Sequence, residues 1–177
     1  MVNMKRFNSA SITIIGFILL VASLRILRVF PPNFAPVTAL CLMGSAYFTR
    51  RWMAFIIPTS ILFISDIILG GGTELVGVYI SYAIIIFLGF VLNNNVKPVK
   101  VVAITLLSSL LFYIITNFVC WFGSPYKTQD LTGFIINYTE ALPFFRTSLV
   151  SDLFFSGAFF AGFEMLRIKF PTFAKAQ

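Results

Sequence analysis

Apolar residues fall into six runs separated by short polar or charged breaks. They cover about residues 10–30, 36–48, 52–69, 76–92, 99–122 and 145–166. A membrane-spanning helix needs about 20 apolar residues, so each run reads as a span. The first follows Lys5-Arg6 and ends near the small pair Ala22-Ser23, which resembles a signal peptide. Arg25 and Arg28 follow at once and five further runs remain, so it is read as a retained first helix. The second run is short: about 13 residues rise only about 20 Å, below the hydrocarbon core of about 30 Å. Before it, Phe30-Pro31-Pro32-Asn33-Phe34-Ala35-Pro36 holds three prolines and cannot be helical. The chain must therefore dip into the membrane there. Irregular backbone at that depth survives only when buried in protein or lining a cavity.

The breaks are mostly short. Arg50-Arg51 divides the second run from the third, Gly70-Gly71-Gly72 forms a turn, and Asn93-Asn94-Asn95 closes the fourth. The longest connection, Gly123 to Phe144, mixes Tyr126, Lys127, Asp130, Asn137, Tyr138 and Glu140 with apolar residues. Its Thr128 to Leu142 stretch predicts a short surface helix with Thr128 as N-cap. No internal repeat or linker appears, so residues 1–177 form one transmembrane domain. Six spans put both termini on one side. Nine of the basic residues fall on the side of the termini and four on the other, so the positive-inside rule makes both termini cytoplasmic.

Composition agrees and narrows the functions. Apolar residues make up 59% of the chain and charged residues 11%, against about a quarter charged in soluble domains. Mean hydropathy is +0.95. A soluble domain, a disordered chain and a secreted disulfide scaffold are excluded. The pI of about 9.7 does not imply a nucleic-acid partner, because the 13 basic residues are scattered. With no histidine, His-ligated haem, His-built zinc sites and Ser-His or Cys-His nucleophiles are excluded. Cys41 and Cys120 lie in separate runs and read as small buried hydrophobes. No phosphate-binding GxxxxGK[ST] loop exists, so the chain does not use ATP by itself. No nucleophile–base pair or metal cluster emerges. Neither an enzyme nor a cofactor is expected.

Polar groups inside lipid carry most of the information. Asp66 in the third run and Asp152 in the sixth each cost about 2.5–3.5 kcal/mol at a bilayer centre, against about −0.3 to −0.6 for each Leu, Ile or Phe. Ten such apolar residues let the third run insert despite Asp66. Both aspartates fall in the outer half, with Arg25, Arg28 and Arg146, and Asn33, Asn117, Trp121 and Tyr126 lie at the same level. Two arrangements satisfy the electrostatics. Arg25 or Arg28 pairs with Asp66 and Arg146 with Asp152, fixing helix register; or these groups line an outward-facing cavity for a polar or amphipathic solute. The short second run favours the cavity. The candidate substrate-binding set is Arg25, Asn33, Asp66, Asn117, Trp121, Arg146 and Asp152. Tyr47, Phe48 and Trp52 read as an interfacial belt, and Trp121 and Tyr126 as either an outer belt or stacking groups. Gly157, Ala158, Ala161 and Gly162 predict close helix packing, within the chain or against a partner.

Several segments together carry a resemblance. They are Pro31-Pro32-Asn33-Phe34-Ala35-Pro36-Val37-Thr38-Ala39-Leu40, Ser65-Asp66, Thr116-Asn117-Phe118, and Ala141-Leu142-Pro143-Phe144-Phe145-Arg146 with Asp152. Over roughly residues 24 to 165 the chain resembles a family of small bacterial inner-membrane proteins described as transport proteins, with no substrate assigned. That family is similar to the S-components, the substrate-binding membrane subunits of energy-coupling-factor (ECF) vitamin transporters. The resemblance implies an all-α, S-component-like bundle of six transmembrane helices, with the solute near the outer face. The expected function is capture or transport of a small vitamin-like solute; the alternative is a non-catalytic structural subunit of a larger membrane complex. Expected partners are the lipid bilayer, the solute, and an ATP-driven coupling module or other membrane subunits. S-components dock on their coupling subunit through small residues spaced by four on the first helix. Here Ser9 and Thr13 are the only comparable pair, so a solitary transporter stands beside a coupled one.

Overall fold

The computed structural model describes residues 9–29, 31–48, 50–70, 75–93 and 95–170, with residues 9–11 as backbone only. Lys5-Arg6, Phe30, Gly71-Gly72, Glu74, Asn94 and Lys175 lie outside the described residues. Among the described residues six α-helices follow one another: α1 (Ser9–Ile26), α2 (Val37–Tyr47), α3 (Arg51–Leu69), α4 (Leu75–Gly89), α5 (Pro98–Phe122) and α6 (Leu131–Lys169). A 3-10 turn, Phe90–Leu92, prolongs α4. Among the described residues there is no strand. Four helices are long and apolar enough to cross a membrane: α3, α4 with its turn, α5 and α6.

The side-chain distribution is that of a protein meant for lipid. Apolar residues such as Ile67, Ile68 and Phe87 point outward, while Ser45, Ser65, Asp66, Ser109, Ser151 and Asp152 are buried. In lipid an outward apolar face costs nothing and every polar group must find a partner inside. The short second helix is explained the same way. Every residue of α2 is buried, and α2 touches all five other helices. A helix apolar all round belongs in the middle of a bundle, and there it need not match the membrane thickness. Tyr47 and Phe48 consequently sit in the core rather than in the predicted interfacial belt; Trp52 is exposed.

Two glycines are fixed by geometry. Gly70 ends α3 in the left-handed region at φ 77°, where a side chain would be strained. At Gly89 an added Cβ would lie 2.6 Å from Ser45 Cβ, so α2 and α4 meet backbone to side chain. The Ser45 hydroxyl lies within hydrogen-bonding distance of the carbonyls of Cys41 and Ile86, 2.8 and 2.9 Å away, and ties the two helices at that point.

The largest departure from the sequence reading is α6. The expected surface helix and sixth span are one continuous helix of 39 residues, running through Pro143. At 1.5 Å per residue it is about 58 Å long, nearly twice the hydrocarbon core. Its cap is also shifted from the expected Thr128. Asp130 is the N-cap, accepting the Gly133 N–H at 2.7 Å. That amide, with the Thr128 hydroxyl, holds the Asp130 carboxyl below the usual carboxylate range. A lowered folded-state value means the cap contribution is complete above the unfolded value of about 3.9 and is lost as pH falls through the folded value. The Gly133 amide resonance should therefore titrate at a pH below that of an ordinary Asp, and should stop doing so in Asp130→Asn. A midpoint at the ordinary value would remove the cap.

Candidate functional site

Arg25 closes α1, a position where the helix dipole favours a cation. Its Nη2 lies 2.5 Å from Asp66 Oδ1, and its Nη1 donates to Ser65 Oγ at 2.7 Å. Tyr79 of α4 donates its hydroxyl to Asp66 Oδ2 at 2.6 Å. Both carboxylate oxygens are thus engaged, and Asp66 is 3% exposed. This cluster locks α1, α3 and α4 together. Of the two pairings considered from sequence, Arg25 with Asp66 forms.

The second pairing, Arg146 with Asp152, does not. Both residues lie on the continuous α6, and six residues separate them by about 9 Å along the axis and about 240° around it. Arg146 is exposed and has no ion pair among the described residues, whereas Asp152 is buried. Asp152 instead meets the Ser109 hydroxyl of α5 at 2.6 Å and the Thr38 hydroxyl of α2.

Two hollows open at the end of the bundle that carries the α1–α2 and α5–α6 connections. The first, of about 220 Å³, lies between α5 and α6. Ser109, Tyr113, Thr116 and Asn117 reach it from α5, and Phe145 and Ser148 from α6. Positions 109, 113, 116 and 117 share one helical face, which is why a single helix can line a hollow with so many polar groups. Asn117 donates its amide N–H to the Tyr113 carbonyl at 2.8 Å, and no described residue donates to its side-chain oxygen. The second hollow, of about 750 Å³, is bordered by Arg25, Arg28, the Pro31-Pro32 segment and Leu69. Asn33 borders both. It has φ 60°, a left-handed value that Asn tolerates better than most residues, and its carbonyl accepts from Ser148 Oγ at 3.3 Å. Pro31 and Pro32, both exposed, border the larger hollow.

Asn33 and Asn117 therefore share one hollow, Arg25 and Asn33 the other, and Asp152 adjoins the smaller through Ser109. Trp121 donates its indole N–H to the Thr128 carbonyl at 2.9 Å and packs edge-on against Phe134, so it pins the α5–α6 connection. Tyr126 is 95% exposed. Above the smaller hollow, Asn137 donates to the Asn117 carbonyl at 3.0 Å, Lys127 donates to Asn137 Oδ1, and the Tyr113 hydroxyl donates to the Tyr138 carbonyl at 2.6 Å. These contacts staple the first turns of α6 over α5. Tyr79, Ser109, Tyr113 and Asn137 are absent from the sequence-derived set. The α5 hydroxyl and amide spacing, Thr105, Ser109, Thr116 and Asn117, was the signal for Ser109; Tyr79 had none.

At the opposite end, Tyr47 donates to Glu164 Oε1 at 2.6 Å and Arg167 bonds the same oxygen at 2.9 Å. Gly157, Ala158, Ala161 and Gly162 are exposed, so the small-residue stripe does not pack within the described chain.

Residues 5–173 match the model of a family of unknown function, DUF6580, and the chain belongs to that family. No curated protein and no solved structure matches it.

Proposed function

We propose that this DUF6580 member is a multi-pass protein of the bacterial inner membrane that captures or transports a small vitamin-like solute. In this reading six helices span the bilayer, both termini are cytoplasmic, and the two hollows open outward. The carrying observation is the convergence of Asn33, Asn117, Ser109 and Ser148 on one hollow beside the proline-rich segment. Amide and hydroxyl edges set between Tyr113 and Phe145 suit a flat, polar solute, with apolar walls for area and few polar groups for orientation. The smaller hollow, at about 220 Å³, lies below the roughly 300–1,000 Å³ of drug-sized pockets, while the adjoining one is within it. One moiety of the solute would sit at Asn117, with the remainder near Arg25 and Arg28. The likeness to S-components supports the same placement. The test is whether purified protein retains a small molecule identifiable by mass spectrometry, and whether Asn117→Leu loses it.

The exposed Gly157–Gly162 stripe favours a second reading, a structural subunit of a larger membrane complex, because small exposed residues let another helix approach closely. It would be supported by stable co-purification with fixed partners and no retained solute.

Orientation has its own test. A cysteine at Lys127 should react with an impermeant thiol reagent in intact cells, and one at Lys97 only after permeabilisation. The reverse pattern would invert the topology.

A further inference from the structure

Beyond solute capture, we propose that Asp152 is a proton-binding site, reached through a hydroxyl-lined seam between α5 and α6. The geometry at Ser109 points to the proton. Ser109 Oγ lies 2.6 Å from Asp152 Oδ2 and 3.0 Å from the Thr105 carbonyl. Both partners are acceptors if Asp152 is ionised, and a serine hydroxyl has a single hydrogen to give. With a proton on Asp152 both contacts are satisfied: the carboxyl O–H donates to Ser109 Oγ, and Ser109 donates to the Thr105 carbonyl.

Among the described residues no cation pairs with Asp152. Its hydrogen-bond partners are the hydroxyls of Thr38 from α2 and Ser109 from α5, and Cys41 of α2 and Tyr82 of α4 lie within its electrostatic reach, all uncharged groups. Arg25 and Asp66 also act on Tyr82, but they are paired with each other. The contrast with Asp66, held by a guanidinium, separates a carboxylate built as a lock from one built to change charge.

Polar steps lead away from Asp152 in both directions. Ser109 borders the hollow at Asn117. One turn along α5 lies Thr105 and one turn along α6 lies Ser156, and both border a separate, largely apolar hollow of about 220 Å³ near Glu164. The Thr105 and Ser156 hydroxyls are buried and have no hydrogen-bond partner among the described residues. The step itself is simple: the carboxylate takes one proton from a hydronium ion, which is left as water, and becomes a neutral carboxyl. Because Ser109 touches both Asp152 and the solute hollow, the proton is placed to respond to what the hollow holds.

Infrared spectroscopy on protein labelled with carboxyl-¹³C aspartate, reconstituted in lipid, tests this without any solute. Wild type at neutral pH should show a protonated-carboxyl C=O band that persists in Asp130→Asn and disappears in Asp152→Asn. Transfer to D2O should shift the band as O–H becomes O–D, and Thr105→Val with Ser156→Ala should slow that shift. Should Asp152→Asn not fold, Asp152→Glu, which keeps a carboxyl but carries no label, should lose the labelled band. An absent band, a band removed by sodium chloride but not choline chloride, or a band that never shifts in D2O would overturn the proposal. Those outcomes leave solute retention untouched, and failure to retain solute leaves the band untouched.

Discussion

Arg25→Met is expected to destabilise the folded protein by about 3–5 kcal/mol, the cost of leaving a buried carboxylate without its cation. Asp66 is 3% exposed and, among the described residues, its second oxygen is held by the Tyr79 hydroxyl, so the carboxylate would stay buried without a cation. Methionine retains the length and apolar stem of arginine, which confines the loss to charge and hydrogen bonds, including the one to Ser65. The double variant Arg25→Met with Asp66→Leu should recover most of the loss, because an apolar pair of similar volume avoids desolvating two charges. Thermal unfolding of the four proteins in one detergent measures this cycle. Equal stability of wild type and Arg25→Met would show that the pair does not hold α1 to α3.

Asn117→Leu should have the second largest effect, and on a different quantity. Leucine has nearly the same shape, so the α5–α6 packing should survive with loss of about 1 kcal/mol for the bond to the Tyr113 carbonyl. Retention of solute should fall by at least about tenfold, because a polar group in a site that loses its partner costs about 1–3 kcal/mol. Trp121→Ala should behave otherwise. That ring anchors the α5–α6 connection at Thr128, so its loss should expose residues 123–130 to protease before it affects retention. If Trp121→Ala abolishes retention while the connection stays protected, the indole contacts the solute directly.

Much of this was legible in the chain because lipid makes polarity expensive. The six runs match six helices to within a few residues everywhere except at the start of α6. Pairing of Asp66 with Arg25 or Arg28 was one of two arrangements the sequence left open, and Arg25 takes it. What escaped was what depends on continuity and on neutral groups. The mixed polar composition of residues 123–144 suggested a loop before the sixth span, yet a proline leaves only one carbonyl unmatched and α6 continues through Pro143. Arg146 and Asp152 already shared the sixth run, and six residues on one helix set them about 240° apart. The hydroxyls that meet Asp152 and Asp66 carry no charge to advertise them, and serine, threonine and tyrosine are common enough in membrane helices to pass as packing. The burial of Tyr47 and Phe48 followed from the central position of α2, which its short length hinted at and its neighbours determined.

The central claim is that the hollow shared by Asn33 and Asn117 holds a small solute. Mass spectrometry of wild-type and Asn117→Leu protein, purified alike and matched for thermal stability, tests it most directly. The account predicts one small molecule bound to wild type at near one-to-one ratio and absent from Asn117→Leu. The same molecule retained equally by both proteins, or no small molecule on wild type together with fixed protein partners, would contradict it.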